Sequence, residues 1–196
     1  EYYTFTKTEV AGIKDAILSI TGYTGSGGCE IYVANEDADA LWQALWEVGQ
    51  KYGLQNIGLG ARDTLRLEKS FSLYGHELDD TTSTIEAGLG WRTKFSEEKG
   101  EYMDRELLQK QKTEGTSRKI AGFRMIERGI PRQGYEIADA HGNIIGVVTS
   151  GTMSPSLKEG IGLGYVTPGN TAVGTEISIM IRNKPVKAEI VKIPFL

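Results

Sequence analysis

The residues best suited to bind a ligand lie in and beside a glycine-rich segment, ITGYTGSGGCEIYV at 20–33. Four glycines within seven residues could cradle a phosphate, but phosphate-binding loops lead into a helix whose N-terminus faces the anion. Here the glycines lead into residues 30–33, which are typical of a strand. The pattern favours a connection between two strands, in which glycine supplies positive φ angles. A turn whose flanking residues contact a ligand is the alternative.

The histidines, the cysteine and the serines offer little for metal or nucleophilic chemistry. His76, His141 and Cys29 are far apart in the sequence, so no set with the spacing of a zinc site is present. We expect both histidines at the surface or in turns. The segment TSGTMSPS at 149–156 lacks the Gly-x-Ser-x-Gly pattern of a nucleophile elbow, and its composition is typical of a turn.

A charged cluster occurs in GLGARDTLRLEKS at 58–70. Arg66 follows four residues after Arg62, and together with Glu68 they could form a solvent-exposed, salt-bridged face of small energetic value. Alternatively, Arg62 follows a flexible glycine-containing stretch and could project its guanidinium fork into a cleft. The sequence leaves both interpretations open.

The first part of the chain is predicted to mix strands and helices. Alternating apolar residues over 2–20 predict strands. Apolar residues at three- and four-residue spacing then predict an amphipathic helix with Asn35 as its N-cap and Gly53 at its end. Two further helices are expected, at 61–69 and 104–112.

Beyond a polar, glycine-containing stretch at 113–117, the pattern changes to short apolar runs separated by turns. Such a pattern predicts a small antiparallel barrel or sandwich. The expected fold class is therefore α+β: a sheet-and-helix portion at 1–112, followed by an all-β C-terminal barrel domain at 116–196.

Composition excludes several classes of function. The net charge is −4 and no basic block occurs, which disfavours nucleic acid as a partner. No apolar run approaches the ~18 residues that suggest a membrane span. The single cysteine fits a reducing compartment. Because the opening residues EYYTF resemble the middle of a strand, we expect the chain to be a piece of a longer protein.

Three stretches together carry a family resemblance: TGYTGSGGCEIYV, GLGARDTLRLEKSFSLYGHELDDTTSTIEAGLGW and IGVVTSGTMSPSLKEGIGLGYV. They closely resemble the aminomethyltransferase, or T-protein, family of the glycine cleavage system, in that family's order and at its approximate spacing. The resemblance runs over essentially the whole chain and corresponds to the C-terminal portion of the family's sequence.

The resemblance implies a reaction and a set of partners. A T-protein transfers the aminomethyl one-carbon unit from the lipoylated H-protein to tetrahydrofolate, its cosubstrate, and releases ammonia and 5,10-methylenetetrahydrofolate in glycine degradation. No metal takes part. The implied location is the cytoplasm of a bacterium or the mitochondrial matrix of a eukaryote.

The resemblance also implies which residues bind folate. Glu30 of GGCEI matches the carboxylate that binds the pterin ring, and Arg62 of GARD matches a folate-contacting arginine. Tyr23 of GYTG matches an aromatic residue that lines the same pocket. The family's catalytic aspartate lies upstream of these residues, so no catalytic residue is assigned here. We therefore expect the 196 residues alone to lack transferase activity, and to expose apolar surface that favours self-association.

Two other classes of function fit the same resemblance. One is a non-catalytic folate-binding or scaffold protein of the same fold, since a fold does not determine a reaction. The other is the C-terminal region of a folate-dependent demethylating dehydrogenase. The motifs GLGARDTLRLE and LYGHELDD are more similar to the T-protein proper than to either.

Overall fold

A computed structural model describes the chain from Glu1 to Leu196. It contains two compact units, residues 1–65 and residues 66–196. The division falls within helix α2 (Leu59–Glu68). No helix is long and apolar enough to cross a membrane.

The first unit is built on a three-stranded antiparallel sheet in the order β1 (Phe5–Val10), β2 (Ile13–Ser19) and β3 (Glu30–Tyr32). The glycine-rich segment connects β2 to β3, and Ser19 faces Glu30 in the strand register. The predicted connection between two strands is therefore confirmed.

Helix α1 (Ala38–Gly49) follows the sheet. The prediction that Asn35 caps this helix is wrong, because the chain enters α1 through one turn of 3₁₀ helix that already contains Asn35. Asp37 occupies the cap position of α1, without a capping side-chain hydrogen bond. At the other end α1 gives way to a 3₁₀ turn (Gln50–Tyr52), and Gly53, with a left-handed φ of 73°, ends this helical run at the predicted residue.

The apolar face of α1 is mostly exposed in this chain. Leu41 is its one buried residue, whereas Trp42, Leu45 and Val48 are exposed. The three- and four-residue spacing thus predicted the helix correctly, although residues 1–65 do not bury the face that this spacing creates.

The second unit is dominated by a closed six-stranded antiparallel barrel, which confirms the barrel predicted from the sequence. Its strand order is β4-β7-β6-β5-β8-β9, and β9 pairs back with β4. The strands are β4 (Lys119–Met125), β5 (Glu136–Ala138), β6 (Ile144–Met153), β7 (Gly160–Val166), β8 (Glu176–Ile181) and β9 (Lys184–Val191).

Alternate positions of these strands fill the barrel interior. The completely buried side chains at its centre include Phe123, Ile137, Ile177, Ile179 and Ile190. A smaller apolar cluster joins Leu67, near the end of α2, to Ile161 and Leu163 of β7. The last turn of α2 is thereby packed on the outside of the barrel wall.

Helix α3 (Arg105–Glu114) lies between α2 and the barrel in the sequence. Both α2 and α3 occur where helices were expected, with ends shifted by one or two residues. Residues 66–114 belong to the same compact unit as the barrel. The domain limits of 1–112 and 116–196 remain a prediction, because the two compact units of this chain are defined by contacts and need not coincide with domains of the longer protein.

Candidate functional site

Tyr23 and Arg62 come together in the first unit. The Arg62 guanidinium carbon lies 4.4 Å from the centre of the Tyr23 ring, which is cation–π stacking geometry. Arg62 is exposed on the first half of α2, and Tyr23 is half-buried in the glycine-rich segment. This contact holds the guanidinium against the ring, so its donor fork is positioned before any ligand arrives.

Glu30 stands at the start of β3 and is exposed. Its carboxylate oxygen Oε2 accepts hydrogen bonds from the Thr21 hydroxyl and from the Tyr32 hydroxyl, the latter at 3.4 Å. The Thr21 hydroxyl also lies 3.1 Å from that of Ser19. These contacts fix the carboxylate through one oxygen, and the chemistry of a carboxylate leaves its other oxygen able to accept from a ligand.

The structure therefore brings two of the three predicted site residues into contact, Tyr23 and Arg62. Glu30 is held instead by Thr21, in the connection between β2 and β3, and by Tyr32 of β3. Their roles toward folate stay a prediction. No group of three or more His, Cys, Asp or Glu side chains is arranged to hold a metal ion.

Sequence analysis did not predict a buried ion pair that is present in the second unit. Arg66 and Glu77 are 2.9 Å apart and both side chains are 0% exposed. Glu77 also accepts from the Leu73 backbone N–H at 2.9 Å and from the Thr149 hydroxyl at 2.6 Å. The interpretation of Arg66 as part of a solvated face is wrong, since this contact network removes it from water.

The segment TSGTMSPS supplies further partners of α2. The Arg66 guanidinium donates to the Ser150 hydroxyl at 2.8 Å. Glu68 accepts from the Ser156 hydroxyl at 2.9 Å and the Ser156 backbone N–H at 3.1 Å, and it also accepts from the Ser154 hydroxyl. Glu68 is only 3% exposed, so the solvated interpretation is wrong for this residue too.

The turn predicted for TSGTMSPS is correct only in its last part. Residues up to Met153 continue strand β6, and the turn follows. One signal could have indicated the strand: from residue 150 to residue 156, Ser or Thr occupies every second position, which is the period of two that a strand requires. Nothing local in the sequence indicates that these hydroxyls face α2.

Both histidines lie in turns, as expected. His76 is half-buried and its Nδ1 lies 3.1 Å from the Ser150 hydroxyl oxygen. His141 is exposed, and its backbone N–H donates to Asp139 at 2.8 Å. Nearby, the Tyr165 hydroxyl donates to the Glu77 carbonyl at 2.7 Å, and burial raises the pKa of Tyr165 above its usual range.

Comparisons with known proteins agree on one family. The family model described as the GCVT N-terminal domain matches residues 1–97. The model described as the glycine cleavage T-protein C-terminal barrel domain matches residues 118–196.

Curated relatives are close in sequence. The chain is 58% identical over 194 residues to an aminomethyltransferase of Bacteroides thetaiotaomicron, covering 99% of this chain and 54% of the relative. It is 49% identical over 196 residues to that of Halothermothrix orenii, covering 100% of this chain and 54% of the relative. The chain thus spans about half the length of the curated relatives it matches.

The fold is also similar to a solved structure, the glycine cleavage system aminomethyltransferase T from Bartonella henselae. The TM-score is 0.85 at 33% sequence identity, over 93% of this chain and 50% of that chain.

Proposed function

Because the chain belongs to the glycine cleavage T-protein family, as its C-terminal portion, we propose that it supplies folate-binding residues to an aminomethyltransferase. That enzyme transfers the aminomethyl one-carbon unit from the lipoylated H-protein to tetrahydrofolate. Ammonia and 5,10-methylenetetrahydrofolate are released in the course of glycine degradation. We place the reaction in the cytoplasm of a bacterium, since the relatives compared are bacterial.

The observation that carries the proposal is the stacked pair of Arg62 and Tyr23. A guanidinium held against an aromatic ring presents a positioned donor fork, which suits a folate carbonyl or carboxylate. Tyr23 adds apolar ring area for contact with a flat heterocycle. Both residues are the ones that the family's motifs assign to folate.

Glu30 is proposed to bind the pterin ring. A carboxylate can accept two hydrogen bonds from the N–H edge of a pterin, and such charge-assisted bonds are about twice as strong as neutral ones. The hydroxyls of Thr21 and Tyr32 hold the carboxylate in place. The entropy lost when the ligand binds is therefore smaller than for a freely rotating side chain.

Calorimetric titration with tetrahydrofolate tests these roles in the chain extended at its N-terminus to the length of its relatives. Glu30→Gln and Arg62→Lys should each weaken binding by roughly five- to 150-fold, because a lost partner in a desolvated polar contact costs about 1–3 kcal/mol. Arg62→Lys keeps the charge and removes the planar fork. Arg124→Lys, at an exposed barrel position, is the matched control and should bind as the wild type does. Unchanged affinity in Glu30→Gln refutes the pterin assignment.

A one-carbon transfer assay with H-protein and tetrahydrofolate tests the reaction itself. The extended protein should form 5,10-methylenetetrahydrofolate and release ammonia in equal amounts. The 196-residue chain should form neither, as the resemblance implies. Folate binding without transfer in the extended protein would favour the non-catalytic alternative.

A further inference from the structure

One face of the three-stranded sheet forms a trough between two exposed aromatic side chains. The strand register sets Phe5 opposite Ser19, and Ser19 opposite Glu30. Residues that are directly opposite in an antiparallel pair share a face of the sheet. Ile17 and Tyr32, which are also paired, lie two residues along from Ser19 and Glu30. Because side chains two residues apart in a strand point the same way, they lie on this face as well.

The walls of the trough are aromatic and its floor is small. Phe5 of β1 is 70% exposed and Tyr32 of β3 is 53% exposed, so both rings are largely open to solvent. Between them, β2 contributes Ser19 and Ile17, which are half-buried. Neighbouring strands are about 4.8 Å apart, so β1 and β3 are about 10 Å apart. A serine side chain is short and leaves the space between Phe5 and Glu30 open.

Glu30 supplies an unoccupied acceptor at one side of this trough. Its Oε2 accepts hydrogen bonds from Thr21 and Tyr32, whereas its Oε1 accepts none from the chain. An ionised carboxylate has only acceptors, so Oε1 is suited to an N–H group. The trough therefore combines a fixed hydrogen-bond acceptor with apolar ring surface.

We propose that the pterin ring of tetrahydrofolate lies in this trough, and that Phe5 is a further folate-binding residue that packs against the ring. The inference rests on the proposed function, in which Glu30 binds the pterin. A heterocycle held at Glu30 by its N–H edge extends across Ser19 toward β1. Phe5 is the large side chain that it meets there, and its ring supplies apolar contact area for a flat partner.

The chemistry of the trough favours a heterocycle over a protein segment as its occupant. An apolar segment laid over Phe5 and Tyr32 would also cover the Glu30 carboxylate. Burying a charged oxygen without a hydrogen-bond donor is costly. A pterin covers the aromatic walls with its flat faces and supplies N–H donors from its edge, so it satisfies both parts of the trough.

Calorimetric titration with tetrahydrofolate, in the chain extended at its N-terminus to the length of its relatives, tests this contact. Phe5→Ala should weaken binding by roughly five- to 150-fold, as loss of an aromatic platform beneath a nucleobase does. Phe5→Tyr keeps the flat ring and should bind within about twofold of the wild type. Phe5→Leu keeps apolar area without a flat ring, so its loss should be intermediate. Thr6→Ala is the matched control, because Thr6 is exposed on the opposite face of β1.

The outcomes separate this contact from the role of Glu30. If Glu30→Gln weakens binding and Phe5→Ala stays within about twofold of the wild type, the trough is overturned and the proposed function stands. Unchanged affinity in both variants refutes the pterin assignment as well. A Phe5→Ala protein with a lower unfolding midpoint but unchanged affinity would mean that protein covers this face, which overturns the proposal. Equal losses in Phe5→Ala and Thr6→Ala would reflect a general disturbance of β1 and would also overturn it.

Discussion

The buried pair of Arg66 and Glu77 allows a quantitative prediction. Glu77→Ala removes the acceptor of three hydrogen bonds, from Arg66, the Leu73 backbone and Thr149. It also removes a carboxylate that lies 2.9 Å from a guanidinium that is 0% exposed. Two other acceptors of Arg66, the Ser150 hydroxyl and the Phe71 carbonyl, are neutral.

The expected loss follows from these contacts. Removing one partner of a buried ion pair costs about 3–5 kcal/mol, because the other charge stays buried without compensation. For a chain of this size, 1 kcal/mol corresponds to a Tm change of about 2–4 °C. Glu77→Ala should therefore lower Tm by roughly 6–20 °C. Glu77→Gln, which keeps the shape and an acceptor oxygen, should lose less.

Denaturant unfolding followed by far-UV circular dichroism measures the effect as a change in midpoint at constant m-value. The exposed pair of Arg124 and Glu189 is the matched control. It is 3.3 Å long, with side chains 50% and 31% exposed. Because solvent screens such a pair, Glu189→Ala should cost less than about 1 kcal/mol.

The buried-charge argument also predicts the double variant. Arg66→Leu combined with Glu77→Leu removes both charges, so it should be less destabilising than either single change to leucine. If Glu77→Ala costs no more than Glu189→Ala, the reasoning from burial is refuted. A double variant that loses the sum of the two single losses would refute it as well.

Three further outcomes are expected. Ser70, just after α2, has a left-handed φ of 57° and a buried hydroxyl without a hydrogen-bond partner. Ser70→Gly should therefore stabilise the protein by about 1 kcal/mol, measured by urea unfolding. Ser70→Ala should not relieve the backbone strain, because alanine keeps the Cβ. A Cβ at Gly146 would meet the backbone of β7 at 2.0 Å, so Gly146→Ala should lower the free energy of unfolding by about 1–3 kcal/mol. A Cβ at Gly169 would have no atom within 4 Å, so Gly169→Ala should be nearly neutral. A hydrogen bond from the Asn143 side chain lowers the pKa of Asp139. The contribution of ionised Asp139 to stability is therefore present above about pH 4 and is lost as the pH falls below that. An NMR titration that finds the pKa of Asp139 unshifted would contradict this.

Local patterns in the sequence predicted most of the elements. A period of two identified the strands, and a period of three to four identified the helices, because these periods reflect backbone geometry alone. The glycines at 22–28 predicted a strand connection, since a strand and not a helix follows them. The N-cap of α1 was predicted wrongly because Asn35 belongs to the 3₁₀ turn that precedes the helix.

The candidate site was identified less completely. Motif resemblance singled out Tyr23, Glu30 and Arg62, and the structure adds that Arg62 stacks on Tyr23. That contact joins residues far apart in the chain. No periodicity specifies it, because the path of the chain between the two residues decides whether they meet.

The sequence by itself determined the type and order of the helices and strands and the family that the chain resembles. Only the tertiary structure decided which charges are buried. Arg66 and Glu68 occupy helix positions that local rules assign equally well to solvent. They are buried because Ser150, Ser154 and Ser156, more than 80 residues away, supply their hydrogen bonds. Whether a residue is buried depends on what packs against it. The packing of β6 and the turn after it against α2 exists only once the barrel has closed.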